Sequence, residues 1–354
     1  MNNPTQPEPS SQSTSTSALQ QFLESVWYEN GSGKYLLFPL ERIYRGLATL
    51  DRYFKKRKQI THAVPVVVVG NISVGGTGKT PLVIYLCELL TSKGYRPGII
   101  TRGYGGESDK WPISVPAGSS VVDCGDEAVL MANRAGVPVA AGPNRNDDIE
   151  HLLDKRDIDV VVSDDGLQHY QLRRDIEIAV VDASRGFGNG HCLPAGPLRE
   201  PVKRLERCDF VVTNEVVKAA KYSMQQRAGS LINLKTGAEM SLSALTEQQV
   251  HAVTGIGNPV RFFNSLKSVG LMVIEHSFPD HHAFSAEEIS FEDDLPVLMT
   301  EKDAVKCQAF ANEKHWYLPI TAELPSAFDD AFMSRLKDIL SNRQHAGLVK
   351  DMES

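Results

Sequence analysis

The stretch Gly70-Asn-Ile-Ser-Val-Gly-Gly-Thr-Gly-Lys79-Thr80-Pro81 decides the fold. It follows the apolar run Val64–Val69, broken only by Pro65, and opens the helix-like segment Leu82–Thr91. A buried strand, a glycine-rich turn and a helix N-terminus aim successive backbone N–H groups at one point. The helix dipole and a lysine add positive potential, which makes a cradle for phosphate. The Walker A spacing G-x-x-x-x-G-K-[ST] is met at Gly78, Lys79 and Thr80, with Ser73 where the first glycine would stand. Gly75 and Gly76 are placed to supply the missing backbone freedom. The candidate nucleotide-binding residues are Ser73, Val74, Gly75, Gly76, Thr77, Gly78, Lys79 and Thr80. A glycine-rich turn with a chance lysine is the plain alternative, and the preceding strand argues against it.

Outward from this loop, strands alternate with helices. Strands are expected at Val66–Val69, Pro97–Thr101, Val137–Ala140, Val160–Ser163, Ile178–Val181 and Phe210–Thr213, with helices at Asp126–Arg134 and Asn144–Lys155. This alternation predicts an α/β fold of P-loop NTPase type with a mostly parallel sheet. Ligands bind such sheets at the carboxyl ends of strands, so the residues just after each strand carry the chemistry. Val160-Val-Val-Ser-Asp164-Asp165-Gly166 ends a strand in an acidic pair of Walker B character. With the Thr80 hydroxyl, a carboxylate there suits Mg²⁺. Gly125-Asp126-Glu127 follows what reads as a short apolar strand, Ser120–Cys124, and opens a helix. Its carboxylates suit the helix dipole, or a general base beside the phosphates. Asp182 ends another strand as a cap or a supporting group. In Leu193-Pro-Ala-Gly-Pro-Leu-Arg199-Glu200-Pro, Arg199 suits phosphate and Glu200 a metal, or the two form a surface ion pair.

The 354 residues suffice for two packed lobes, and a net charge of -7 excludes a broad nucleic-acid surface. Five scattered cysteines without C-x-x-C spacing point to reduced thiols in the cytoplasm rather than to zinc. Residues 1–18 are Ser/Thr/Pro/Gln-rich, show no signal-peptide core and read as a disordered tail. Residues 19–60 are amphipathic, from Leu19, Phe22, Leu23, Val26 and Trp27 to Leu36, Leu40, Ile43, Leu47, Leu50 and Phe54, and close on the basic cluster Lys55–Lys58. Such a face lies in a membrane surface or packs on the domain.

After a core over residues 61–225, a smaller α/β pattern fills 226–354. Ser230–Leu234 and Ala238–Leu242 read as a two-stranded ribbon. They are followed by Val250–Thr254, the helical Arg261–Val269, Met272–His276, Val297–Thr300 and His315–Pro319. Phe278-Pro-Asp280-His281-His282-Ala-Phe284 sets two histidines in a loop, suited to proton handling. Thr300-Glu-Lys302-Asp303 and Thr213-Asn214-Glu215 are candidates for reading a base, or simple helix starts.

The colinear series GNISVGGTGKTP, TRGYGG, GDEAVLMA, DDGLQHYQLRRD, LPAGPLREP, VTGIGNPVRFF, FPDHHAF and TEKDAVK closely resembles the tetraacyldisaccharide 4′-kinases, from about residue 20 to residue 320. The resemblance implies ATP-dependent phosphorylation of the 4′-hydroxyl of a tetraacylated glucosamine disaccharide 1-phosphate, a lipid A precursor, at the cytoplasmic face of the inner membrane. It implies two lobes joined by a two-stranded linker and a membrane-embedded N-terminal helix, while the net charge of -7 speaks against a nucleic-acid partner. By the same resemblance Lys79 contacts the β/γ-phosphates, and Thr80, Asp164 and Glu200 form the metal environment. Asp126 is then the base, tuned by His281 with His282 as the fallback, and Asp165, Glu127, Gln168 and Arg199 support the site. A soluble P-loop ligase or metallochaperone-type NTPase is the alternative, as is a nucleotide-gated membrane-binding protein without catalysis.

Overall fold

The computed structural model describes residues 18–353 apart from Asn30 and Ser32. The tail expected over residues 1–18 therefore lies outside the described residues, except for Ala18. An eight-stranded sheet forms the first lobe, in the order Ile113–Ser114, Val139–Ala141, Pro97–Thr101, Val160–Ser163, Val66–Gly70, Ile176–Val181, Phe210–Thr213, Tyr222–Ser223. Every pairing is parallel except that of the edge strand Ile113–Ser114. The strand Val66–Gly70 lies between Val160–Ser163 and Ile176–Val181, so the ends of all three open onto one edge. Both faces of this sheet are covered, and its central strands Val66–Gly70 and Val160–Ser163 are accordingly buried throughout. Helix Lys79–Ser92 buries Leu82, Val83, Leu86, Cys87 and Leu90 at helical spacing, which anchors the loop before it.

The second lobe has a six-stranded sheet ordered Glu239–Met240, Leu231–Asn233, His315–Leu318, Val297–Thr300, Gln249–Thr254, Met272–Ser277. The expected ribbon forms, with Leu231 opposite Met240, but as the edge of this sheet. A separate two-stranded ribbon pairs Gln225–Ala228 with Ile320–Glu323 where the chain enters and leaves the lobe. The closing helix Ser326–Glu353 does not belong with the second lobe, so the expected single unit over 226–354 does not hold for it. Its stripe of Phe328, Phe332 and Leu336 is fully buried in the first lobe's core, with the Phe328 ring 5.3 Å from Phe210 and 5.4 Å from Tyr222.

The strand expected at Ser120–Cys124 is instead a short helix, Val121–Cys124. The Ser120 hydroxyl accepts from the Asp123 N–H, an N-cap that a strand would not use, and Val122 faces solvent.

Two helices, Ala18–Tyr28 and Lys34–Lys56, precede the sheet. The Trp27 indole donates to the Pro194 carbonyl at 2.9 Å, and the Tyr44 hydroxyl to that of Arg199 at 2.9 Å. Buried Glu41 accepts from the Cys192 N–H and faces Nδ1 of His191 at 3.1 Å. The other face of the long helix is open: Leu36, Leu40, Ile43, Leu47, Leu50 and Phe54 are each more than half exposed, Leu36 by 78%. Among the described residues no helix is long and apolar enough to cross a membrane.

Candidate active site

The glycine-rich loop leaves the sheet at Gly70 and enters helix Lys79–Ser92 at Gly78. Gly75 and Gly78 adopt φ of 98° and 78°, a backbone region that favours glycine, which is why the loop is built from this residue. The proline-bounded loop clamps it from one side. Ser73 bridges Leu198, the Val74 N–H donates to the Pro197 carbonyl at 2.9 Å, and the Arg199 N–H to that of Ile72 at 2.7 Å. From another side the Asn214 side chain donates to the Thr77 carbonyl at 3.3 Å, so Asn214 supports the loop. Asp182 also proves a cap: its Oδ1 accepts from the N–H groups of Ser184 and Arg185.

At the next strand end, Asp164 is buried and its Oδ1 has no hydrogen-bond partner among the described residues. Burial, with the charges of Glu127 and Asp165 nearby, pushes its carboxyl up to about 7. Asp165 sits at φ 46°, its carboxylate 3.4 Å from Nζ of Lys79 and 3.2 Å from the Arg199 guanidinium. Burial disfavours the Asp165 carboxylate, but these two cations outweigh it and hold the group below its ordinary value. Glu200 makes protein contacts of its own. Its Oε1 accepts from Gln168 at 2.9 Å, and its Oε2 accepts from the Tyr170 hydroxyl and faces Arg204 at 3.6 Å. Asp164 offers an open oxygen, whereas Glu200 fastens the loop to the segment after the acidic pair.

The third group straddles the lobes. Asp126 is buried at the start of helix Asp126–Ala135, and its Oδ2 lies 2.9 Å from Nδ1 of His281 in the second lobe. Its Oδ1 accepts from the Glu127 N–H at 2.8 Å. His282 turns away to Glu288 at 3.0 Å, so His281 is the histidine that meets Asp126. Gly125 precedes the pair at φ 85°, pressed against the Tyr104 carbonyl so closely that a Cβ would collide with it. His281 itself holds φ 61°, strain of a kind that persists only where its surroundings enforce it. Burial disfavours the Asp126 carboxylate, yet His281 and Lys302 outweigh it and lower its pKa. The Asp126 hydrogen bond raises that of His281 against the effect of burial.

Tyr104 carried no site role in the sequence reading, and Lys302 stood there only as a candidate for reading a base. Tyr104 places its ring 4.8 Å from that of His281. Asp280 and Glu127 both face Nζ of Lys302, at 3.4 and 3.2 Å. Their stretches, TRGYGG, FPDHHAF and TEKDAVK, stand out in the sequence, but nothing in them shows that they converge. The second lobe also covers the phosphate loop, where Gly257 lies against Gly76 and its carbonyl accepts from Arg185 at 3.2 Å.

A parallel sheet, the loop ending in Lys79-Thr80 and an acidic strand end beside it define a P-loop phosphotransferase fold. The chain belongs to the tetraacyldisaccharide-1-P 4′-kinase family, whose model matches residues 33–337. It is 46% identical over 315 residues to the tetraacyldisaccharide 4′-kinase of Nitrosococcus oceani, covering 88% of this chain and 93% of that one. The enzyme of the same name from Hahella chejuensis is 45% identical over 333 residues, 91% and 98% of the two chains. A crystal structure of LpxK from Aquifex aeolicus in complex with ATP superimposes with a TM-score of 0.72 at 31% identity, covering 86% of this chain and 99% of that one. Membership makes this chain an enzyme, a kinase of lipid A biosynthesis.

Proposed function

We propose that this chain transfers the γ-phosphate of ATP to the 4′-hydroxyl of a tetraacylated glucosamine disaccharide 1-phosphate, working from the cytoplasmic face of the inner membrane. The observation that carries the reading is the Asp126–His281 pair, assembled from two lobes beside the phosphate loop. The charges of Glu127 from one cluster and Lys79 from the other both act on Asp164. Phosphoryl transfer demands positioning and charge neutralisation more than covalent help. Lys79 and the loop amides from Gly75 to Thr80 supply both for the β/γ-phosphates, and Lys79 exchanges its Asp165 contact for them. Arg199, 3.2 Å from the same carboxylate, keeps Asp165 from being left unpaired.

Asp126 is a carboxylate with one lone pair free on each oxygen after its Glu127 and His281 contacts, so it accepts the sugar hydroxyl proton as the P–O bond forms. His281 holds that carboxylate through Nδ1, and the titration belongs to the pair. The open Oδ1 of Asp164 and the Thr80 hydroxyl fit Mg²⁺, a hard cation that takes few protein ligands and leaves the rest to phosphate and water. Bound there, Mg²⁺ would neutralise charge on the β- and γ-phosphates.

The open seam from Leu36 to Phe54, ending on Lys55 and Lys56, fits a helix lying in the bilayer surface, where a lipid acceptor is met. The test is transfer of label from γ-labelled ATP to detergent-dispersed tetraacyldisaccharide 1-phosphate. Labelled lipid is expected. ATP hydrolysis without labelled lipid would instead favour a soluble P-loop NTPase.

A further inference from the structure

The ammonium of Lys302 has three N–H donors, no acceptor, and three partners within 3.4 Å: Oε1 of Glu127 at 3.2 Å, Oδ1 of Asp280 at 3.4 Å and Nε2 of His281 at 3.3 Å. Oδ2 of Asp126 lies just beyond, at 3.9 Å. Because the ammonium can only donate, Nε2 of His281 must accept, which leaves the imidazole proton on Nδ1, the nitrogen facing Asp126. We infer that Lys302 is a positioning residue for the Asp126–His281 pair, fixing the neutral imidazole as the Nδ1–H tautomer and opposing its second protonation. The functional weight of this inference rests on the kinase reading above, but the protonation state does not.

The surroundings give Lys302 no substitute. Its side chain is 17% exposed and stands amid Asp126, Glu127 and Asp280, three carboxylates that would otherwise share the pocket. The other nearby lysine, Lys306, is spent on Asp303 at 2.8 Å. A doubly protonated His281 would turn Nε2–H toward the Lys302 ammonium, and that contact would have to break. Asp126, and Asp280 with its Oδ1 3.9 Å from Nε2, therefore draw a proton onto the imidazole while Lys302 resists it, and the balance keeps Asp126 able to take up a proton from the acceptor. Lys302 holds this place because Thr300 caps helix Glu301–Cys307 and aims its first turn at helix Asp126–Ala135. The neighbouring Glu301 pairs with Arg134 at 2.6 Å across the same two helices without touching His281, which supplies a control for simple lobe docking.

The experiment is ¹⁵N NMR of histidine-labelled full-length protein in detergent micelles, with the His281 signals assigned by their loss in His281→Ala. In wild type the neutral imidazole is expected to be protonated at Nδ1. In Lys302→Met the titration midpoint of His281 is expected to rise by at least about one pH unit, a tenfold gain in proton affinity. Lys302→Arg and Arg134→Ala are expected to leave it in place. An Nε2–H tautomer in wild type overturns the inference, as does an unmoved or lowered midpoint in Lys302→Met, or an equal rise in Arg134→Ala. Should Lys302→Met fail to fold, the wild-type tautomer decides alone. Kinase activity is not the readout, so a wrong tautomer leaves the lipid kinase reading standing, and absent transfer leaves the tautomer standing.

Discussion

His281 and Asp126 lie 155 positions apart in the chain and 2.9 Å apart in space, each on a different lobe. The contact makes the base of the proposed reaction a joint product of two lobes. Substituting His281 by Ala strips one donor from a buried carboxylate and lets burial raise its pKa. A fall in kcat of about 10- to 100-fold is expected, with nucleotide affinity unchanged, because only the transfer step uses this pair. Steady-state kinetics with nucleotide titration checks this split.

The same pair links stability to pH in both directions. Asp126 has its folded pKa below 3.8, so its contribution is present above that value and is lost as pH falls through the folded pKa. His281 has its folded pKa above 6.5, so its contribution is complete below 6.5 and is lost as pH rises through the folded pKa. Comparing unfolding of wild type and His281→Ala across pH should show the largest stability difference between about 4 and 6.5, narrowing on either side. A difference that grows steadily toward alkaline pH would reverse the assigned directions.

Gly125 admits no side chain: its φ of 85° is unfavourable for one, and a Cβ would strike the Tyr104 carbonyl. Gly125→Ala is expected to cost at least about 2 kcal/mol of stability and to displace Asp126. Gly94→Ala is the comparison, since it shares a positive φ but meets nothing within 4 Å, and thermal unfolding of the two should rank them in that order.

The outward seam of the long helix is open, with Leu40 51% and Leu47 63% exposed. Replacing both by Glu should leave folding and ATP binding intact while lowering sedimentation with anionic vesicles by about tenfold or more. Unchanged sedimentation would move membrane attachment elsewhere on the chain.

Much of the first lobe can be read from its sequence, because Val66–Val69 and Val160–Val162 are apolar throughout and the phosphate loop follows the first of them at once. Local signals misled at Ser120–Cys124, where a serine cap outweighs a run of β-branched residues. The stripe Phe328, Phe332 and Leu336 announces a helix, but nothing local reveals that it returns to the first lobe. The candidate site was legible where the glycine loop and a strand end carry it, as at Lys79 and Asp164. It was not legible at Lys302 and Tyr104, whose roles exist only once the lobes meet. At Glu200 spacing did not announce the partners Gln168 and Tyr170, through which it fastens its loop.

Single-turnover transfer from ATP to the tetraacyldisaccharide acceptor by Asp126→Asn, beside a nucleotide-affinity measurement on the same protein, tests the account most directly. The amide keeps the size of the side chain but cannot take up a proton at neutral pH. The account predicts wild-type nucleotide affinity with transfer slowed by about 100-fold or more. Transfer at the wild-type rate would contradict it and remove Asp126 as the base.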